Sequence, residues 1–438
     1  MDTIETLAVE KGQFELRPGL RGVSAENEPA SSAAVQTKHW RPAGGQMSLP
    51  LLTLELDAYE ENKKAMLSIC RDFRCQIAPH AKTPMSPVLA QDLVSSGAWG
   101  VSVADLRQAE VMLHHGLLKV LIANEIGGKS AVSRLTKLLR VYPDAEVFMF
   151  VDSLEVVSFL VDAWSCDATL PQLNLLVEVG CGRGGLNSNM EVAPLVGAIA
   201  GCNSDRIRLA GIAAYEGTAI RSDEKELRAN LDDLFERVAL ALKAARQAVG
   251  QDTALILSVG GSSIFDYVIT RCRPMVDDDA NATLLLRSGA CFFSDHGPIQ
   301  ARLQAIAERE MLGKTASSRI ANSFRPALRI WAEVLSTNGP HDAICGFGLR
   351  DVAHDQGLPV PLAVWRDARR LTALGNASIV SKLNDQHAFV HVTELEVVVG
   401  DVIEFGVKHP CTTIDKHDVI FGLDEQGEVK VVLRTFFG

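Results

Sequence analysis

The sequence has little that suits nucleic acid, a membrane or an oxidising compartment. Lys and Arg total 43 against 54 Asp and Glu, a formal net charge of −11. Phosphate contacts need clustered positive charge, so a general nucleic-acid binder is excluded. No apolar run approaches the length of a membrane span. Residues 1–46 are polar and open on an acidic stretch, without the basic-then-apolar layout of a secretory signal. The 9 cysteines are scattered with no Cys-x-x-Cys pair. An odd, dispersed set reads as reduced thiols acting mostly as small apolar fillers, and a cytoplasmic location is the default expectation. What remains is ordinary for a globular chain: 438 residues, 47% apolar and 22% charged, enough for a sizeable core and two or three domains.

From about Arg74 to Gly289, short β-like runs alternate with longer stretches whose apolar residues recur at three and four. The strand candidates are Gln76–Ala78, Trp99–Val103, Val120–Ala123, Glu146–Val151, Leu173–Val179, Leu209–Tyr215, Ala254–Val259 and Thr283–Arg287. Alternation of this kind implies parallel βαβ units, and eight such strands close a (β/α)8 barrel. Leu49–Leu56 is a ninth strand-like run ahead of the eight, and it must pair elsewhere, most simply with the C-terminal domain. Beyond about Arg325, short β-branched runs separated by turn residues predict an all-β module: Ile330–Ser336, Ala388–Val392, Leu395–Val399, Asp401–Phe405, Val419–Leu423 and Val429–Phe436. Pro298–Ser317 reads as a helix at the barrel periphery. The expected organisation is an N-terminal extension over 1–48, partly disordered and partly joining the β-domain; a barrel over 49–317; and a C-terminal β-domain over 318–438.

Six segments carry chemistry-bearing residues. Lys82 lies in Pro79-His80-Ala81-Lys82-Thr83, just past the first barrel strand. A lysine there points into the barrel mouth, where partial desolvation disfavours its ammonium form and frees the amine for a Schiff base. Gly260-Gly261-Ser262-Ser263 follows the seventh strand and opens a helix, which predicts a phosphate cradle of backbone amides. Around Arg183, four glycines in Gly180-Cys181-Gly182-Arg183-Gly184-Gly185 allow a tight loop that aims the guanidinium at the mouth. Tyr215-Glu216-Gly217-Thr218 ends the sixth strand, and Arg287-Ser288-Gly289 follows the eighth. Far downstream, His409-Pro410-Cys411 puts an imidazole and a thiol two residues apart. In an extended segment the two share a face, forming a pair of ligands suited to zinc.

The pattern Pro-His-x-Lys-Thr resembles the lysine segment of the D-threonine aldolase and D-serine dehydratase group, within the alanine-racemase-like pyridoxal-phosphate superfamily. Glu178-Val179-Gly180-Cys181-Gly182-Arg183-Gly184-Gly185 is similar to that superfamily's Asp-x-Gly-x-x-Arg-x-Gly loop. Tyr215 fits the group's Tyr-x-Gly-His, from which Thr218 departs. Arg287–Gly289, Asp295-His296-Gly297, Asp385-Gln386-His387 and His409-x-Cys411 resemble its other segments. The likeness spans roughly Leu49 to Phe437 and is strongest to bacterial sequences of an amino acid deaminase type. It implies an alanine racemase-like fold with Lys82 as the covalent anchor of pyridoxal 5'-phosphate and His80, Arg183, Tyr215, Thr218, Gly260, Gly261, Ser262, Ser263 and Arg287 around the cofactor. It also implies Zn2+ or another divalent cation on His409 and Cys411, a homodimer with a β-domain capping a neighbour's barrel, and His387 as either a site-lining or a packed residue.

The reaction this resemblance implies is loss of the β-hydroxyl from a small D-3-hydroxy amino acid such as D-serine, giving a 2-oxo acid and ammonia. Lys82 would serve as α-proton base and the metal would polarise the hydroxyl. The alternatives are retro-aldol cleavage to glycine and an aldehyde, with His80 or His387 as base, and a non-catalytic pyridoxal-phosphate carrier. Racemisation needs a second base on the other cofactor face, and no tyrosine beyond the barrel supplies one.

Overall fold

In the computed structural model, residues 4–25, 30–202, 204–220 and 223–437 are described. Eight parallel strands form one sheet in the order Gln76–Ile77, Ala282–Leu286, Leu255–Ser258, Ile207–Ala214, Leu173–Val179, Glu146–Val151, Lys119–Ile122, Val101–Val103. The ends of this path meet without a regular ladder. Trp99 N donates to Ile77 O at 2.8 Å, Ser102 N to Pro79 O at 3.0 Å and Ala81 N to Ser102 O at 2.8 Å, and His80 bridges Ser102. Pro79 has no N–H to give, so only its carbonyl joins the seam. The barrel therefore closes through the segment that delivers Lys82.

The barrel interior is filled by Ala78, Leu121, Phe148, Phe150, Leu176, Ala210, Ala213 and Leu285, all buried. Small residues face large ones across a narrow space. One position requires glycine: Gly211, at φ +154° beside a bulge, where a Cβ would sit 1.9 Å from the Ile256 carbonyl oxygen. Helices wrap the outside, and their buried stripes, such as Leu227, Leu231, Leu234, Phe235 and Val238 in Glu224–Val249, pack against the sheet.

The ninth strand, Leu51–Glu55, belongs to the second sheet. It pairs antiparallel with Leu328–Thr337 and parallel with Val419–Leu423, and Trp331 Nε1 donates to Thr53 Oγ1 at 3.0 Å. That antiparallel module follows Leu328 as expected, with three differences. Leu395–Val399 forms no strand: Val398 and Val399 are 46% and 62% exposed and lead into a turn at Gly400. Strands at Asp342–Cys345, Val360–Arg366, Arg369–Ala373 and Ile379–Leu383 complete the module instead. Pro298–Ser317 is two helices, Pro298–Arg309 and Lys314–Ala321, separated at Glu310, which takes a left-handed φ of 51°.

Of the N-terminal extension, Ile4–Lys11 is helical, with Ile4, Leu7 and Ala8 in the main core, while Leu16, Val23 and Val35 join a second cluster with Trp40 and Phe421. Of the extension expected to be partly disordered, residues 1–3 and 26–29 lie outside the described residues.

Candidate functional site

A cavity of about 340 Å³ opens at the C-terminal ends of the barrel strands, and the β-domain forms its opposite wall. Sites for small molecules typically enclose about 300–1,000 Å³. Lys82 stands in it, its side chain open to the cavity yet ringed by protein. Desolvation lowers its pKa; the nearby Cys411 acts in the opposite direction, and Arg183 and Arg287 lower it further. The amine is thereby easier to uncharge than an ordinary lysine. Next to it, burial and then the Lys82 and Arg287 charges hold His80 well below the usual imidazole range, and its buried Nδ1 has no hydrogen-bond partner among the described residues. His80 is a neutral ring beside the amine.

Arg287 is 5% exposed and donates to Ser258 Oγ and Ala214 O, each at 2.8 Å, with its guanidinium 5.1 Å above the Phe150 ring. Both partners are neutral, so its charge is left for whatever enters the cavity. Arg183 lies 4.9 Å over the Tyr215 ring. Burial, and then the Glu216 carboxylate, raise the Tyr215 pKa, so Tyr215 is a phenol and not a phenolate.

The glycine-serine turn lines the cavity, but its amides are not an open cradle. Gly260 N donates to Glu216 Oε2 at 3.1 Å and Gly261 N to Glu216 Oε1 at 2.6 Å. The carboxylate, 1% exposed, already holds the two donors expected for phosphate. Ser262 Oγ accepts from Gly289 N and Cys291 N at 3.2 Å each, and Arg302 donates to the Ser263 hydroxyl. The groups left to an anion here are the two serine hydroxyls and Arg302.

Behind the Arg183 loop, Glu178 is 2% exposed with Oε2 unpaired, and it faces Glu125, whose Oε1 is also buried and unpaired. Desolvation, a hydrogen bond with Glu178 and the charges of Glu178 and Asp152 raise the Glu125 pKa to about 9. Glu125 is therefore the protonated member of the two facing carboxyl groups. Arg183 Nη2 lies 4.0 Å from Glu178 Oε1, and Gly185 N donates to Asp152 Oδ2 at 3.1 Å.

The β-domain contributes His409 and Cys411. They do not lie in an extended segment, because Pro410 starts a short helix, Pro410–Ile414, with His409 at its N-cap position. The two side chains nevertheless meet: contact with Cys411 is the largest influence raising the His409 pKa to about 9. His409 Nδ1 lies 2.7 Å from Asp355 Oδ2, and Thr83, next to Lys82, has its hydroxyl 3.2 Å from Cys411 Sγ. Among the described residues no three His, Cys, Asp or Glu side chains converge as a metal cage.

The cavity thus gathers Lys82, His80, Arg183, Tyr215, Gly260, Gly261, Ser262, Ser263, Arg287, His409 and Cys411 within a single chain, its own β-domain facing its own barrel. Thr218 is not in its wall; its hydroxyl bonds back to Tyr215 O at 3.1 Å in a 3-10 turn. His387 is neither site-lining nor packed but exposed at a loop of the β-domain. His296 packs under Gly406, its Nδ1 buried and unpaired. Sequence reasoning missed Glu216, Arg302, Lys408 and Asp355. Glu216 alone had a local signal, as an acid following a strand-end tyrosine.

Residues 54–269 match the family model of the alanine racemase N-terminal domain, and residues 327–423 match that described as a "putative serine dehydratase domain". A 3-hydroxy-D-aspartate aldolase of Paracoccus denitrificans (strain Pd 1222) is 26% identical over 391 residues, covering 88% of this chain and 91% of the relative. The fold is similar to that of the D-threonine aldolase from Filomicrobium marinum (TM-score 0.70, 24% identity, 89% of this chain and 95% of that one). It is also similar to the D-threo-3-hydroxyaspartate dehydratase from Delftia sp. HT23 (TM-score 0.67, 18% identity, 91% and 99%). No helix among the described residues is long and apolar enough to cross a membrane.

Proposed function

We propose that this chain, which matches the alanine racemase N-terminal domain and the putative serine dehydratase domain, is a pyridoxal-phosphate- and metal-dependent lyase. It removes the β-hydroxyl of a D-3-hydroxy amino acid to leave a 2-oxo acid and ammonia. One observation carries the reading: the depressed-pKa amine of Lys82 and the His409–Cys411 pair share one cavity, joined through the 3.2 Å contact of Thr83 with Cys411.

The residues fit both groups. Lys82 is the covalent anchor, Ser262, Ser263 and Arg302 are the free donors for a phosphate, and Tyr215 is a neutral partner for a ring nitrogen. The orphaned Nδ1 of His80 is a buried polar atom that a bound group would satisfy. His409 and Cys411 are two ligands for a borderline-soft dication, with Asp355 behind the imidazole as such sites require. A pair in place of a cage leaves positions open to water and substrate.

When bound, pyridoxal phosphate supplies an electron sink for the charge left by α-proton loss, and the dication supplies Lewis acidity at the hydroxyl. The chain's own groups do the rest. Lys82 Nζ takes and holds the α-proton, a role that its lowered pKa favours. Arg287, free of any carboxylate partner at contact range, orients an anionic group, and the Tyr215 phenol, covered by Arg183, would offer a cofactor ring a neutral partner. The β-domain wall narrows the mouth and restricts water.

A second reading, retro-aldol cleavage to glycine and an aldehyde, is favoured by the aldolase names of the curated relatives. It needs a base for the hydroxyl proton, and neutral His80 is available where exposed His387 is not. Absorbance and metal analysis of the purified protein, then incubation with D-serine and D-threonine, test both. Keto acid and ammonia support dehydration, glycine supports cleavage, and a chelator should stop either while the cofactor absorbance stays. Absence of pyridoxal-type absorbance removes both readings.

A further inference from the structure

The N-terminal extension takes no part in the cavity wall, yet one of its side chains ends on the loop behind the His409–Cys411 pair. Val23 N donates to Leu20 O at 3.0 Å, closing a turn with Arg21 and Gly22 at its centre. Gly22 has a φ of +84°, and a Cβ there would sit 2.3 Å from the Phe421 ring. The turn is therefore pressed onto strand Val419–Leu423, which fixes where Arg21 starts. From it Arg21 Nη1 reaches Asp351 Oδ1 at 2.9 Å and Arg350 O at 3.3 Å. Asp351 is 1% exposed, and Arg21 is its ion-pair partner among the described residues. Burial raises the Asp351 pKa, while the Gly348 amide and the Arg21 charge act to keep the carboxylate ionised.

Asp351 stands in the loop that also carries Asp355, and the inner side of that loop is fastened to the segment bearing the pair. Asp351 O accepts from His417 Nε2 at 2.8 Å, Ala353 N donates to Thr413 Oγ1 at 3.2 Å, and Asp355 takes the His409 and Thr412 hydrogen bonds at 2.7 and 3.2 Å. His417 is a neutral donor, since burial holds its pKa down at about 4. The outer side of the loop is fastened to the extension through Arg21. Without that guanidinium a buried carboxylate would stand unpaired in the middle of the loop, and the loop would have to open to hydrate it. Resting on the lyase reading above for the metal, we propose that Arg21 is a positioning residue for His409 and Cys411. The extension braces, from outside the cavity, the loop that holds the two side chains in the arrangement that receives a dication.

The test measures zinc affinity, by competition with a metal-chelating dye, and hydrogen exchange on the full chain. Arg21→Met should bind zinc about tenfold more weakly at unchanged cofactor absorbance, and Arg21→Lys should recover most of the loss. Asp351→Asn, which breaks the ion pair without stranding a buried charge, should weaken zinc in the same direction. Arg17→Met breaks an exposed pair within the extension, Arg17 with Glu15 at 2.6 Å, and should bind zinc as wild type does. After chelation, peptides covering 348–357 and 409–417 should exchange at least about tenfold faster in Arg21→Met, with peptides around Lys82 unaltered. Wild-type zinc affinity in both Arg21→Met and Asp351→Asn overturns the proposal, as does unaltered exchange in those two segments or an equal loss in Arg17→Met. If wild type takes up no dication while the exchange difference stands, the brace on His409 and Cys411 is retained and the metal-dependent lyase is removed.

Discussion

Asp355 accepts a 2.7 Å hydrogen bond from His409 Nδ1 and, through its other oxygen, a 3.2 Å bond from the Thr412 hydroxyl. The imidazole is thereby fixed with Nε2 as its free nitrogen, in the tautomer a metal ligand needs. Asp355→Ala should weaken metal binding about 10–100-fold while leaving cofactor absorbance unchanged. Competition with a metal-chelating dye measures this; unaltered metal affinity would show that the carboxylate serves only the loop.

Lys82→Ala should remove the pyridoxal-type absorbance and reduce turnover to background, because one amine provides both anchor and base. Far-UV circular dichroism should match wild type, since the side chain projects into open space. Full activity in this variant would move the chemistry to another amine.

Glu216→Ala should cost about 2–4 kcal/mol, because it strips a buried amide, Gly260 N, and a partly buried one, Gly261 N, of their acceptor. The cofactor should also dissociate more readily, as the turn beside Ser262 and Ser263 loosens. Denaturant titration with a loss below about 0.5 kcal/mol would mean that water or a ligand oxygen replaces the carboxylate.

The Glu125–Glu178 pair makes stability depend on pH. Glu125 keeps its proton in the fold up to about 9, whereas an unfolded glutamate loses it near 4.5. The folded state binds more protons between those values, so the contribution is complete below about 4.5 and disappears as pH rises through about 9. Glu125→Gln fixes the neutral form, and its Tm advantage over wild type should grow from pH 5 to pH 9. A constant difference across that range would show that Glu125 keeps no extra proton in the fold.

What the sequence disclosed follows from where side chains are buried. Val419–Leu423 was legible as a strand because every residue in it is apolar and buried, and the barrel strands because their runs are largely so. Arg369–Ala373 was hidden because an edge strand with exposed arginines carries no apolar pattern. Leu395–Val399 misled for the converse reason: β-branched residues exposed at a turn resemble a strand. His409 and Cys411 were found through the wrong local geometry, since Pro410 turns the segment into a helix that still brings them together. Asp355 and Arg302 act across the fold, on His409 and Ser263, and no local pattern marks such pairings.

The contact of Thr83 with Cys411 joins residues 328 apart in the chain, and it has a temporal consequence. A ribosome making this protein releases the reactive lysine segment long before the segment that faces it, and the ninth strand, Leu51–Glu55, waits equally long for its partner Val419–Leu423. The amine emerges with one wall of its cavity missing: Arg183 and Arg287, which lower its pKa, belong to the barrel, and Cys411, which acts in the opposite direction, is made last. A stalled or truncated chain therefore carries the anchor without the His409 and Cys411 side chains that face it across the cavity.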